Sequence, residues 1–417
     1  MSITRSHLSW IPVIILWIVF IIAVYALSLH SASGLKAFQV YYESAKSLVQ
    51  DNEQIYQGTN GWIYLYPPLL SQLLMPIAAS MDYQTASNLW LSINIALLIT
   101  TLAILNRYTP PKWSKWMWSL PILFIPVWQA MYIGQITIVM LALLTYVWVA
   151  IREGRPRLAG GLLALAAWIK VFPAILVIYF LWKRNWQVIR GVIIAGLALV
   201  LLQVAISGPD LVVAFFDVLY QLTSNGQPSA TFENMSIFGF ASRLFQPNIH
   251  VEALLVDSDL FALNRWTITL FILITTAFAV SRSHIRSRHH QLSWRFDVEY
   301  GLVILTMLML GSTLWVSGLP PMILIGLLII RHRRHRQMRR VRALWFISFA
   351  LIVIYQPLIV IATLFNATLN ALTLSIGFFG LIIAWGTMVW LLLVEPESES
   401  TITDFKQIDI IAGSGES

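Results

Sequence analysis

Residues 158–182 read LAGGLLALAAWIKVFPAILVIYFLW, an apolar stretch interrupted by one cation, Lys170, and by Pro173. A helix of about 20 apolar residues spans the hydrocarbon core of a bilayer, because it satisfies its own backbone hydrogen bonds. Similar stretches recur near 9–28, 65–80, 84–106, 116–132, 134–151, 187–206, 262–281, 298–331, 343–363 and 370–394. The sequence therefore predicts an all-α polytopic membrane protein with about 10–12 transmembrane helices.

The composition supports a lipid environment. Of the 417 residues, 58% are hydrophobic and 11% are charged, whereas soluble domains carry about 25% charged residues. The chain has no cysteine, which excludes disulfides, thiolate nucleophiles and thiolate metal sites. The net charge of +8 is concentrated in short clusters between apolar runs. This pattern is typical of multi-pass proteins of the plasma (inner) membrane and not of a nucleic-acid-binding surface.

The basic clusters should lie in the cytoplasm. They fall within 107–115, 152–157, 183–190, 282–295 and 331–342. Two long loops without such clusters, 30–63 and 207–250, should face outward with short juxtamembrane helices. Clusters at both ends of 158–182 conflict with a single crossing, so this segment is broken or re-entrant, or one cluster is misplaced. A single transmembrane domain should cover residues 1–394, and the acidic, Ser-rich tail 395–417 should be disordered.

Lys170 is the most informative single residue. It lies too far from either end of its run to reach an interface, and a charge there costs on the order of 3 kcal/mol on insertion scales. Its partner should be a phosphate oxygen or a carboxylate, and the scarcity of carboxylates in the apolar runs favours the phosphate. Arg243, amid apolar and aromatic residues, can hold a phosphate bidentately or anchor the chain to lipid headgroups.

Other polar features have weaker interpretations. Residues 38–49 show apolar side chains at helical spacing and predict an amphipathic helix at the outer surface. Tyr66-Pro67-Pro68 can begin a helix, and Gly134-Gln135 between two apolar runs indicates a turn or a polar contact inside the membrane. The histidines within 284–290 lie in a basic loop that disfavours a bound cation, so no metal site is expected.

Together these segments resemble glycosyltransferase family 87 of the GT-C superfamily, the polyprenyl-phosphate-mannose-dependent α-mannosyltransferases. The resemblance covers roughly residues 30–330. Its motifs are Phe38-Gln-Val-Tyr-Tyr-Glu-Ser-Ala, Tyr64-Leu-Tyr-Pro-Pro-Leu, Gly134-Gln135, Arg155 through Pro173, and Asn234 through Leu244. It implies a GT-C-like bundle and an inverting sugar transfer at the outer membrane face. The donor would be a polyprenyl-phosphate sugar, with mannose as the sugar, and the acceptor a glycan or glycolipid.

The resemblance also implies roles for individual residues. Basic and polar groups stabilise the departing phosphate, and an acidic residue of the first outer loop takes the proton of the acceptor hydroxyl. The expected phosphate contacts are Lys170 and Arg243. The full set of expected substrate-binding residues is Tyr41, Tyr42, Tyr66, Gln135, Lys170, Asn234 and Arg243.

The chain departs from the family pattern where the base should be. The family places an aspartate just before the Phe of the first-loop motif, and this chain has Ala37 there. Glu43 is the first substitute as catalytic base, with Asp51 and Glu53 as alternatives. If no substitute acts, the chain is a degenerate relative that only binds a lipid-linked sugar. A broken helix with a buried charge also occurs in transporters, so a lipid or sugar transporter is a further alternative.

Overall fold

The computed structural model describes residues 10–30, 34–50, 55–56, 63–224, 233–247, 253–282, 294–331, 338–364 and 370–394. Its helices are α1 (Ile11–His30), α2 (Lys36–Val49), α3 (Leu69–Ser80), α4 (Tyr83–Arg107), α5 (Ser114–Leu123), α6 (Ile125–Tyr132), α7 (Thr137–Arg152), α8 (Pro156–Ile169), α9 (Ala174–Trp182), α10 (Trp186–Ser207), α11 (Asp210–Ser224), α12 (Ile237–Phe245), α13 (Ser258–Ser281), α14 (Trp294–Leu310), α15 (Met322–Arg331), α16 (Met338–Leu364) and α17 (Ile376–Val394). No strand occurs in these ranges, which confirms the all-α class. The acidic tail, the histidines within 284–290, and Asp51 and Glu53 lie outside the described residues.

Among the described helices, six are long and apolar enough to cross a membrane by themselves. They are α1, α4, α10, α13, α16 and α17. The chain is therefore a multi-pass integral membrane protein.

The run 116–132 is broken at Phe124, whose backbone is extended with a ψ of 97°. Pro126 lies in the first turn of α6 and has no N–H to donate to the preceding turn, so a continuous helix is interrupted there. The indole of Trp128 instead donates to the carbonyl of Ile122 at 2.7 Å. In a continuous α-helix the carbonyl of Ile122 would accept from the N–H of residue 126, which proline lacks.

One face of the bundle collects the basic residues. The Lys115 ammonium lies 5.9 Å from the ring centroid of Trp10, at the start of α1. Arg282 and Arg295 donate to backbone carbonyls at the end of α17, at 3.2 and 3.0 Å. By the positive-inside rule this face is cytoplasmic. It is called the inner face below, and the opposite face the outer face.

Two buried ion pairs join helices at the inner face. Arg152 of α7 pairs with Asp297 at 2.7 Å, and Lys183, at the end of α9, pairs with Glu299 at 3.0 Å. Both carboxylates belong to the first turns of α14. The start of α14 therefore ties α7 and α9 together through charged groups that are shielded from water.

The segment 158–182 is re-entrant. Helices α8 and α10 run parallel, because the start of α8 shares a surface pocket with Gln187 at the start of α10. Further along both helices, a Cβ added to Gly161 would meet Ala195, and one added to Gly196 would meet Trp168. Since α9 leads into the start of α10 through a short turn, α8 must rise from the inner face and α9 must return to it. Both basic clusters that flank this segment lie on the inner face, which resolves the conflict found in the sequence.

Helix α3 does not cross the membrane, which corrects the span predicted over 65–80. The Gln72 side chain donates to the carbonyl of Gln203 and the hydroxyl of Ser207, at the outer end of α10. The carbonyl of Met81, just past α3, accepts a hydrogen bond from Tyr42 of the outer helix α2. Both ends of α3 are therefore at the outer face, and its 12 residues are too few to span a bilayer.

The run 298–331 forms two helices, as predicted, but they are not joined by a tight turn. Residues 311–321 connect α14 to α15 and include a 3₁₀ turn over Val316–Gly318. The Thr137 hydroxyl donates to the carbonyl of Ser317 at 2.6 Å, and the Met235 N–H donates to that of Leu314 at 2.7 Å. These contacts hold the connecting segment at the outer side of the bundle.

Candidate functional site

A cavity of about 540 Å³ opens on the outer side of the bundle. Its walls are α2, the tip of the re-entrant hairpin (Lys170–Pro173), the connecting segment 311–321, the start of α12 and the outer part of α13. Most of the lining is aliphatic or aromatic. The polar and charged lining side chains include Tyr41, Tyr66, Gln135, Thr137, Lys170, Arg265, Thr269, Ser312, Thr313 and Ser317. A largely apolar cavity with a few convergent polar groups is the usual form of a small-molecule site.

Lys170 lies at the tip of the hairpin and faces the cavity. The backbone of Lys170 is extended, with φ −148° and ψ 124°, because Pro173 cannot continue the hydrogen bonding of α8. Its half-buried ammonium lies 5.6 Å from the ring centroids of both Tyr66 and Phe172. Within the described residues it forms no ion pair with a carboxylate. The ammonium is thus placed to receive an anion from the cavity.

Three uncharged polar residues, Tyr41, Tyr66 and Gln135, form a cluster near Lys170. The hydroxyls of Tyr41 and Tyr66 reach Oε1 of Gln135 at 3.0 and 3.4 Å and lie 3.2 Å from each other. Gln135 follows Gly134, whose φ of 71° makes the turn, and a Cβ on Gly134 would lie 2.7 Å from that of Phe38. The turn therefore docks against α2, and Gln135 and Tyr66 present hydrogen-bonding groups to a ligand.

Arg265 is a cavity residue that sequence reasoning missed. Its guanidinium lies 4.4 Å from the ring centroid of Phe238 and 5.0 Å from that of Trp266. The run predicted over 262–281 put Arg265 at its outer edge, where a cation is ordinary. Only the packing of α13 against α12 shows that this cation faces the cavity.

The electrostatics of the cavity are one-sided. Lys170 and Arg265 are the charged side chains in its described lining, and no described carboxylate accompanies them. No group of three or more His, Asp or Glu that could hold a metal ion occurs in the described ranges. Two cations in an apolar wall favour an anionic group, since charge-assisted hydrogen bonds to phosphate are strong where water is scarce.

Asn234 and Arg243 were expected to bind substrate, but the structure places both behind the cavity wall. The Asn234 amide donates to the carbonyl of Ser312 at 3.0 Å and accepts the N–H of Leu314 at 2.9 Å. Arg243 donates to the carbonyl of Asn234 at 2.7 Å and to the hydroxyl of Ser375 at 3.1 Å. Burial lowers the pKa of Arg243 to about 10, so it stays charged at neutral pH. With exposures of 0% and 1%, the two residues hold the connecting segment, and neither lines the cavity.

Helix α2 divides the first-loop residues between two sides. Ala37 and Tyr41 line the cavity, whereas the Tyr42 hydroxyl donates to a carbonyl past the end of α3. The Glu43 carboxylate is close enough to Tyr83 of α4 to interact with it electrostatically. The six steps along the helix from Ala37 to Glu43 correspond to a net rotation of about 240°. Ala37 therefore faces the cavity, and Glu43, the predicted substitute base, does not.

Comparison with known proteins gives a family match. The family model described as glycosyltransferase family 87 matches residues 64–312, more than half of the chain. No curated protein matches. Among solved structures, the chain is similar to the crystal structure of ArnT from Cupriavidus metallidurans bound to undecaprenyl phosphate. The sequence identity is 14%, the TM-score is 0.39, and the alignment covers 94% of this chain and 77% of that chain.

Proposed function

The chain belongs to glycosyltransferase family 87, and from this membership we propose that it transfers a sugar from a polyprenyl-phosphate donor at the outer face. The acceptor is a glycan or glycolipid hydroxyl, and the sugar, following the family, is mannose. The observation that carries the proposal is Lys170, a cation at a re-entrant tip in a cavity whose described lining contains no carboxylate. Such a site suits a lipid whose headgroup is anionic and whose tail stays in the membrane.

In the proposed reaction, the acceptor oxygen bonds to the anomeric carbon of the sugar as the bond from that carbon to the phosphate oxygen breaks. The leaving group is polyprenyl phosphate, which gains one negative charge at the bridging oxygen. Lys170 and Arg265 stabilise this charge in a low-dielectric wall, which lowers the barrier to departure. Tyr66 and Gln135 hold sugar hydroxyls, with Tyr41 fixing the orientation of the Gln135 amide through its 3.0 Å hydrogen bond.

The acceptor hydroxyl must also lose a proton during transfer. Glu43 remains the proposed base, although α2 directs it toward Tyr83 and away from the cavity. The proton transfer requires hydrogen-bond reach between the base and the hydroxyl. Glu43 therefore acts only if α2 turns when the substrates bind.

A second candidate function follows from Ala37. Its methyl group lines the cavity at the position of the family's aspartate, so the described wall supplies the phosphate contacts without a base. On this proposal the protein binds a lipid-linked sugar and does not transfer it.

Transfer of labelled sugar from polyprenyl-phosphate-mannose in proteoliposomes tests both candidates. We expect wild-type protein to consume the donor, Lys170→Met to lose most of that activity, and Glu43→Gln to lose it if Glu43 is the base. Lys46→Met is the matched control, because Lys46 is an exposed lysine on α2 that does not line the cavity.

The pattern of outcomes separates the two candidates. Donor binding without turnover, together with turnover gained in Ala37→Asp, would favour the binding relative. Counterflow of labelled lipid without sugar transfer would indicate transport. Absence of donor binding by the wild type would contradict both candidates.

A further inference from the structure

We infer that Glu299, at the inner face, is a positioning residue that fixes Lys170 at the tip of the re-entrant hairpin. This inference rests on the proposed function, because it concerns the placement of the proposed phosphate-binding ammonium. Glu299 lies at the opposite end of α9 from that ammonium. Its effect on the cavity must therefore pass through α9, which is called the returning arm of the hairpin below.

The base of α9 is held by one oxygen of Glu299. The Tyr179 hydroxyl donates to Oε2 of Glu299 at 3.0 Å, and the Lys183 ammonium lies 3.0 Å from the same oxygen. Tyr179 and Lys183 are four residues apart and so share one face of the arm. Lys183 also donates to the carbonyl of Val280, at the inner end of α13, at 2.6 Å. The Glu299 side chain is 0% exposed, so water cannot substitute for these contacts.

The tip of the hairpin is held by the other end of the same helix. Phe172 packs against Gly311, directly after α14, so closely that a Cβ on Gly311 would lie 2.8 Å from the Phe172 ring. Helix α14 thus contacts the returning arm at its base through Glu299 and at its tip through Gly311. Between these contacts α9 is a continuous helix of nine residues, about 13 Å long.

Two fixed points on one rigid helix determine the depth and tilt of the arm. Lys170 is separated from Phe172 by Val171 alone, so the position of its backbone follows the position of the arm. In Glu299→Gln the buried Lys183 ammonium loses the carboxylate charge that it pairs with, and the neutral carbonyl of Val280 is left to accept from it. The arm can then relieve that cost by moving Lys183 toward water at the inner face. Such a movement draws the tip, and Lys170 with it, away from the cavity.

Asp297 provides a matched control on the same helix. It is also 0% exposed and accepts hydrogen bonds at 2.7 Å from Arg152 and at 2.8 Å from the Trp148 indole. Both partners belong to α7, whereas Asp297 influences the hairpin only electrostatically, through Tyr179, without a hydrogen bond between their side chains. Removing the carboxylate charge of Asp297 should cost comparable stability and leave Lys170 in place.

A double-mutant cycle on undecaprenyl phosphate binding tests the inference, with full-length protein in nanodiscs. Lys170→Met is measured in the wild type, in Glu299→Gln and in Asp297→Asn. We expect Lys170→Met to weaken binding by about 10- to 150-fold in the wild type and in Asp297→Asn. In Glu299→Gln we expect the further effect of Lys170→Met to be under about threefold, because coupled sites are not additive.

A charge-exchanged variant covers the case in which Glu299→Gln fails to fold. Lys183→Glu combined with Glu299→Lys keeps an ion pair between α9 and α14, and should restore most of the Lys170-dependent binding. An equal effect of Lys170→Met in all three backgrounds would overturn the inference and leave the proposed phosphate site intact. No effect of Lys170→Met in the wild type would instead contradict the proposed function itself.

Discussion

Replacing Lys170 with methionine tests the site most directly. Methionine is also unbranched and of similar length, so it keeps apolar contact with Tyr66 and Phe172 while removing the ammonium. Lys170→Arg is the companion variant, because it preserves the positive charge with a different shape. Both changes lie at the hairpin tip, where the backbone is already extended and no helix is interrupted.

The expected loss follows from the surroundings of the ammonium. A hydrogen bond to a charged group contributes about 1.5–3 kcal/mol net, and each 1.4 kcal/mol is about tenfold in affinity. Within the described residues Lys170 has no carboxylate partner to exchange for the phosphate, so the gain on binding is not cancelled by a broken ion pair. Lys170→Met should therefore weaken polyprenyl phosphate binding by about 10- to 150-fold. Arg265 still faces the cavity and should keep binding measurable.

The measurement is the Kd of undecaprenyl phosphate in nanodiscs of zwitterionic lipid, so that bulk anionic lipid does not compete. Lys170→Arg should retain most of the affinity, and Lys170→Met combined with Arg265→Gln should bind more weakly than either single variant. The reasoning is refuted if Lys170→Met binds within about twofold of the wild type while Lys46→Met does the same. In that case the ammonium contributes nothing to anion binding.

Three further predictions concern the fold. The chain lacks cysteine, so a single introduced cysteine can be labelled with a membrane-impermeant maleimide. Val171→Cys should react only from the outer side and Arg155→Cys only from the inner side. Labelling of both from one side would exclude the re-entrant topology. Burial raises the pKa of Glu233, so folding favours its protonated form and stability falls as pH rises from the ordinary carboxyl pKa through the raised one. Glu233→Gln should then unfold at higher temperature than the wild type at neutral pH and at the same temperature at acid pH, and a constant difference at all pH values would contradict this. Gly160→Ala should destabilise the α8–α10 contact by about 1–3 kcal/mol in thermal unfolding. Gly161→Ala is the control, because its added Cβ would meet only a side-chain carbon at 3.7 Å. It should be neutral or stabilising.

Part of the site was predictable because its signals are local. Lys170 is conspicuous in the sequence, because a charged side chain deep in an apolar run is costly in a membrane and usually has a function. Tyr41, Tyr66 and Gln135 belong to the short motifs that carry the resemblance, and the structure brings them together near Lys170.

The remaining site residues could not be assigned from motifs alone. Tyr42 and Glu43 lie one and two residues beyond Tyr41 on α2, and each step along a helix turns the side chain by about 100°. Asn234 and Arg243 belong to a polar motif, but their donors are used on the backbone of the connecting segment and on Ser375. A motif specifies which residues are near a site, whereas the helix face decides which of them touch the ligand.

The sequence by itself determined that the chain lies in a lipid membrane, that it is helical, and which face carries the positive charge. Hydropathy and charge act on each segment independently of its neighbours. The sequence also indicated the interruption near Lys170, since Pro173 acts on its own preceding turn. Only the tertiary structure decided that α3 lies along the outer face, that α8 and α9 form a re-entrant hairpin, and that Arg265 faces the cavity. These features depend on which helix ends meet, and such contacts between distant segments have no local signature in the chain.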